Sequence, residues 1–77
     1  VDLTKHEYSL LYHFMDHPNI IFSREDLIYQ LYPNADKSVM DRTIDQHIKK
    51  LRFKIEDDPS NPKRIVTVRG MGYKFVK

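Results

Sequence analysis

Residues 41–52 read DRTIDQHIKKLR, a run holding Arg42, Lys49, Lys50 and Arg52 with the carboxamide of Gln46 and the imidazole of His47 among them. Cationic groups at this density bind an oxyanion such as phosphate, and a carboxamide offers a donor beside an acceptor. Ile44, Ile48, Leu51 and Ile55 recur through the same stretch. At about 100° per residue, with Ile44 at zero, the other three fall between about −20° and +40°. Arg42, Gln46 and Lys49 fall opposite, at about 160°, 200° and 140°, flanked by Lys50 at about 240° and Arg52 at about 80°. The spacing predicts a helix from 39 or 40 to 56. One face is apolar and made for a core; the other is basic, with no carboxylate at its centre.

Other groupings carry less chemistry. His13 and His17 are four apart, the spacing of a helical metal pair, but no third ligand lies near them in sequence and His17 precedes a proline. No metal is expected. Asp57-Asp58 sits beside Pro59 in a breaker segment and reads as a solvated turn. Arg69-Gly70-Met71-Gly72 is too short and wrongly placed for a dinucleotide loop, which needs a strand and then a helix. There is no cysteine, hence no disulfide, thiolate nucleophile or cysteine-based zinc site. With no nucleophile beside an oriented base, neither an enzyme nor a cofactor is expected.

The elements that must position the basic run follow from capping and turn signals. Thr4 and Glu7 form a capping box ahead of Tyr8, Leu11, Phe14 and Met15, so a helix is read over about 5–16, stopped by His17-Pro18-Asn19. Ile20-Ile21-Phe22 is a short β-prone run, read as one strand. Ser23 caps a second helix with Asp26 at its third position and Leu27, Ile28 and Leu31 on its apolar side; Pro33 ends it. Ser38 with Asp41 offers a start signal for the third helix. Ile65–Val68 and Tyr73–Val76 are β-rich runs on either side of the chain's two glycines, Gly70 and Gly72, and read as a hairpin with a tight tip. The expected core is Tyr8, Leu11, Phe14, Leu27, Leu31, Ile44, Ile48, Leu51, Ile55, Val66, Val68 and Phe75. Tyr12, Tyr29 and Tyr32 are left between core and partner surface.

At 77 residues the chain is one domain. No stretch approaches the roughly 20 apolar residues of a membrane span, and the N-terminus carries no signal-peptide pattern. It starts at Val1 rather than methionine, as an excised fragment would. The net charge of +2 is unevenly spread: residues 1–41 carry three basic and seven acidic groups, residues 42–77 ten basic and four acidic. Such one-ended positive charge points to an anionic partner for the C-terminal half. Most basic helix faces are simply solvated. Here, however, two helices precede the run and a basic hairpin follows it. Such a helix fits the roughly 12 Å major groove of DNA while a hairpin reaches the adjacent minor groove.

The stretches Ser23-Arg24-Glu25-Asp26-Leu27, Asp41 to Arg52 and Thr67 to Phe75 resemble the C-terminal effector domain of OmpR/PhoB-type response regulators, in order and spacing, over nearly the whole chain. The resemblance implies an α+β winged helix-turn-helix: three helices, a short strand and a C-terminal β-hairpin wing, with the family's N-terminal sheet absent from these residues. It implies sequence-specific binding of double-stranded DNA, with the third helix in the major groove and the wing, about 65–76, in the minor groove. Arg42 and His47 then contact phosphates, and Lys49, Lys50 and Arg52 contact phosphates and bases, with Lys50 the base reader. Thr43 and Gln46 face the DNA, the Gln46 amide suited to an adenine. Thr67 and Tyr73 touch the backbone, and Arg69, beside Gly70, enters the minor groove. The loop Pro33, Asn34, Ala35, Asp36, Lys37, Ser38 and Val39 matches a segment that contacts RNA polymerase in some members.

Further expectations follow from the same resemblance. They are promoter direct repeats bound as a tandem pair, an upstream receiver domain in the same chain, a cytoplasmic location and a monomeric fragment. Three departures bear on the site. Lysines stand where arginines are commoner at 49 and 50, and lysine lacks the planar fork that pairs with guanine. Phe53, at about 180° on the polar face, stands where a charged residue is usual, and either covers the wing, meets DNA sugars or stays a surface aromatic. The missing sheet leaves one side of the first helix either exposed or covered by a partner. The competing expectation is a winged-helix module that binds protein rather than DNA.

Overall fold

The computed structural model describes residues 2–34 and 40–77. Helix α1 spans Lys5–Asp16, α2 spans Arg24–Leu31 and α3 spans Asp41–Ile55; strands β1, Ile65–Val68, and β2, Gly72–Phe75, follow. The expected capping box at Thr4 and the expected cap at Ser23 both form, the second also as a capping box. Thr4 Oγ1 accepts from the Glu7 amide at 3.2 Å while Glu7 Oε1 accepts from the Thr4 amide at 2.9 Å. Ser23 and Asp26 repeat the exchange at the head of α2, at 3.0 and 3.1 Å. Each box satisfies two amides that a helix start leaves open, a contribution of about 1 kcal/mol.

The third helix differs at its ends from expectation. Its N-cap is Met40, which makes no side-chain cap, and its C-cap is Glu56. Ser38, expected to cap it, lies outside the described residues, as do Ala35, Asp36, Lys37 and Val39.

Strands β1 and β2 pair antiparallel, with Ile65 opposite Phe75 and Val68 opposite Gly72. The strand expected at 20–22 shrinks to a single bridge between Phe22 and Tyr73. Both of its hydrogen bonds form, Phe22 N–H to the Tyr73 carbonyl at 2.8 Å and Tyr73 N–H to the Phe22 carbonyl at 2.9 Å. Asn19, at φ 66°, bends the chain as it enters this edge, and its amide donates to the Phe75 carbonyl.

The core is Leu10, Phe14, Leu27, Ile44, Ile48, Leu51, Ile65, Tyr73 and Phe75. It differs from the expected set in phase. Tyr8 is 62% exposed while Leu10 is fully buried, because α1 turns its Glu7–Leu10–Phe14 side inward. In the wing, Ile65 is fully buried while Val66 and Val68 are half-buried. Leu11, Leu31 and Ile55 pack partly buried at the margin. Among the other tyrosines, Tyr12 and Tyr29 lie exposed and Tyr32 is half-buried.

Candidate nucleic-acid interface

Helix α3 buries Ile44, Ile48 and Leu51 and turns Arg42, Gln46, Lys49 and Lys50 to solvent. The angular split read from the sequence is the split the fold makes. Phe53, on the same outer stripe, is 67% exposed and so does not cover the wing. Thr43, in the first turn, is half-buried.

The flank of α3 between these faces carries Asp45 and Arg52, and it holds the wing. The Arg52 guanidinium donates through Nε and a terminal nitrogen to the Ile65 carbonyl, at 3.0 and 2.8 Å, and to Thr67 Oγ1 at 2.8 Å. Its Cζ lies 5.5 Å from the centre of the Tyr73 ring, in cation–π range. Asp45 Oδ1 accepts from the Tyr73 hydroxyl at 2.5 Å and from Arg24 Nε at 2.9 Å, joining α3 to β2 and to the start of α2.

These bonds give Arg52 and Tyr73 partners within the fold. Arg52 is half-buried with its fork committed to β1, and Tyr73 is a core ring only 6% exposed. Both set the angle between helix and wing. Burial raises the Tyr73 pKa and the bond to Asp45 adds to it, so the phenol stays protonated as a donor.

The opposite flank meets α1 and the end of α2. His47 Nε2 lies 2.9 Å from the Tyr32 hydroxyl, which also lies 3.4 Å from His6 Nδ1; the two imidazole centroids are 5.1 Å apart. Burial lowers the His47 pKa, and His6 and Lys50 lower it further against the pull of Glu7. Two turns on, Lys54 Nζ donates to the buried Glu7 Oε1 at 2.6 Å. Burial alone would raise the Glu7 pKa; the bonds from Lys54 and Thr4 reverse that and hold it below the usual carboxylate value.

At the wing tip Arg69, Gly70 and Met71 are exposed. Gly70 and Met71 line a shallow cleft with Arg24 and Asp41, so the tip stands beside the head of α3. Gly72 takes φ 140°, and a Cβ there would lie 2.0 Å from the Phe22 carbonyl oxygen.

Below the hairpin, the Glu56 carboxylate accepts the successive amides of Lys63, Arg64 and Ile65 at 2.8 to 3.1 Å. Burial raises its pKa, and those amides with the Arg64 charge reverse the effect and leave it lowered. Of the residues expected at the site, Arg42, Gln46, Lys49 and Lys50 share one exposed surface, with Thr67 on its wing-side border. In the expected polymerase loop Pro33 and Asn34 are exposed, and the other five residues lie outside the described ones.

Sequence reasoning missed Arg24, Asp45 and Glu56. For Asp45 a signal existed: it lies seven residues before Arg52, on one helix flank at about 100° and 80°. Opposite charges bordering an apolar stripe mark a side that meets another element. Glu56 had no such signal.

The chain is similar to known proteins in sequence and in fold. The family described as "Transcriptional regulatory protein, C terminal" matches residues 1–75. Transcriptional regulatory protein YvrH of Bacillus subtilis (strain 168) is 46% identical over 69 residues, 87% of this chain and 28% of that protein. The chain spans about three tenths of the length of such curated relatives. The Klebsiella pneumoniae RstA DNA-binding domain, solved in complex with RstA box, matches at TM-score 0.84 and 33% identity over 99% of this chain and 74% of that one. Response regulator DrrB, a Thermotoga maritima OmpR/PhoB homolog, matches at TM-score 0.88 and 33% identity over 99% of this chain and 34% of that one.

Proposed function

The chain belongs to the C-terminal domain family of transcriptional regulatory proteins, and on that premise we propose that it binds double-stranded DNA sequence-specifically as the effector domain of a two-component response regulator. The observation that carries the reading is the exposed stripe of Arg42, Gln46 and Lys49 directly opposite the buried Ile44–Ile48–Leu51 stripe, with the wing fastened along the flank between them. A helix so presented enters a major groove side-on, and a wing beside it meets the neighbouring backbone.

In this reading Arg42 and Lys49 contact phosphates, Lys50 and Gln46 reach base edges, and Arg69 enters the minor groove beside Gly70. Thr43 faces the DNA from the first turn. His47 offers Nδ1 to a phosphate while Tyr32 orients the ring through Nε2. Thr67, its oxygen held by Arg52, keeps its own hydroxyl proton for a phosphate. Arg52 and Tyr73 position the wing.

Residues 1–77 form one winged-helix domain of a longer cytoplasmic protein whose receiver domain lies upstream. Pairs of such domains occupy direct repeats at promoters, and the fragment alone is monomeric. The loop at 33–39 contacts RNA polymerase. No described helix is long and apolar enough to cross a membrane.

A salt titration on duplex DNA tests the core of this. Contact with about six phosphates predicts that log K falls with log salt at a slope near −5. A flat response, or no binding at low salt, would favour a protein-binding winged helix instead.

A further inference from the structure

Phe53 is the one apolar side chain on the outer stripe of α3. Arg42, Gln46, Lys49 and Phe53 follow at intervals of four, three and four residues, so they stack into a single line along the helix. All four are exposed, Phe53 at 67%. A phenyl ring held in water on a surface otherwise built to meet an anion gains free energy when a partner covers it.

That partner has a face of mixed character. Flanking cations fit phosphate, while the ring itself needs an apolar group between the phosphates. In a major groove that group is the C5-methyl of thymine, the apolar contact for which phenylalanine is suited. The position along the helix agrees. Phe53 lies in the last turn, where unpaired carbonyls make the helix end partially negative and unfavourable to phosphate. An uncharged base edge carries no such penalty. Beside the ring, Lys49, Pro59, Ser60 and Tyr73 line a shallow cleft open to solvent, which leaves room for a projecting methyl group.

We propose that Phe53 is a specificity-determining residue that selects a thymine by its methyl group. The inference rests on the DNA-binding reading above. At about 1.5 Å rise per residue, the seven residues from Gln46 to Phe53 span about 10 Å. At about 3.4 Å per base pair, the selected thymine lies about three base pairs from the base that Gln46 reads.

Duplexes selected from a random pool by the wild-type chain and by Phe53→Ala provide the test. The wild type is expected to enrich a thymine at one position that Phe53→Ala leaves unselected, with the remaining positions unchanged. Replacing that thymine by uracil in a fixed duplex then lowers wild-type affinity about fourfold, the effect of one buried methyl, and leaves Phe53→Ala unaffected. Equal enrichment by both proteins, tolerance of uracil by the wild type, or a loss spread evenly over all sequences in Phe53→Ala overturns the proposal. A wild-type chain that enriches no duplex at all overturns the DNA-binding reading, and this inference with it. Because the ring is exposed, the variant keeps the fold.

Discussion

The Arg52 guanidinium grips the Ile65 carbonyl with two of its nitrogens, at 3.0 and 2.8 Å. The bond runs from the exposed helix to the first residue of the wing, so it fixes the angle at which two separate surfaces would meet one duplex. Hydrogen bonds from a charged donor contribute about 1.5–3 kcal/mol each where they are sheltered from water. Half-exposure lowers that here. Arg52→Ala is expected to lose about 2 kcal/mol of stability, and Arg52→Lys most of the same amount, because an ammonium cannot reproduce the fork.

The salt slope separates this role from a phosphate contact. Arg52→Ala is expected to weaken DNA binding while keeping the wild-type slope, whereas Lys49→Ala lowers the slope by about one. A drop of one unit in Arg52→Ala would return the side chain to the phosphate backbone.

Glu56 gives the fold an acid limit. Its carboxylate lies buried against three backbone amides, and its pKa is lowered in the folded chain. The folded state therefore resists the proton that the unfolded chain accepts near the ordinary glutamate value of about 4.3. Stability from this group is fully present above that value and is lost as pH falls through the folded pKa. Glu56→Gln is expected to cost about 3 kcal/mol at neutral pH and to flatten the loss of thermal stability between about pH 5 and 3. An unchanged acid limb in the variant would assign the acid sensitivity elsewhere, with Glu7 the next candidate.

His47 works in the same direction at higher pH. Burial, with His6 and Lys50, lowers its pKa, so the fold favours the neutral ring. Stability is complete above the unfolded value of about 6.5 and declines as pH drops below it. His47→Phe is expected to remove part of the slope in melting temperature between about pH 7 and 5. A slope of wild-type steepness in that variant would leave the His6–Tyr32–His47 contact without energetic weight.

The two glycines of the wing predict unequal outcomes. Gly70 has φ 77° with nothing within 4 Å of a built Cβ, so alanine there meets only the backbone preference, about 1 kcal/mol. Gly72 has φ 140°, and a Cβ added there would overlap the Phe22 carbonyl oxygen, so no methyl fits while the Phe22–Tyr73 bridge stands. A core of this size supplies roughly 3–5 kcal/mol in all. Urea denaturation is expected to show Gly70→Ala folded and Gly72→Ala largely unfolded in water; comparable midpoints for the two would contradict the close approach at Phe22.

What was legible in the sequence follows physical range. The capping boxes at Thr4 and Ser23, the α3 periodicity and the tight hairpin are set within a few residues, and each appears where the spacing put it. The phase of α1 was not local. Tyr8 and Leu10 both satisfy an amphipathic pattern, and only the docked α3, whose Lys54 reaches Glu7, decides that Leu10 turns inward. The strand at 20–22 failed for a related reason: β-prone residues pair only where a partner edge passes, and β2 offers one at Phe22 alone. The basic residues of α3 could be placed on faces, but whether a guanidinium meets solvent or a wing carbonyl depends on chain thirteen residues distant, as at Arg52 and Ile65.

Arg42 and Lys50 separate the two kinds of contact that the exposed face of α3 is proposed to make. Both are exposed, but Arg42 lies in the first turn and on the outer stripe, whereas Lys50 lies a full two turns on and toward the flank held by His47. A phosphate contact carries no sequence information, so its loss weakens every duplex alike; a base-edge contact is felt only where its base is present. Arg42→Ala is therefore expected to lower affinity for cognate and random DNA by the same factor and to reduce the salt slope by about one. Lys50→Ala is expected to cost about 1–3 kcal/mol on the cognate duplex and far less on random sequence. Titrating both variants against both duplexes at one salt concentration decides the matter, and equal losses for the two proteins on both DNAs would remove Lys50 from the reading of bases.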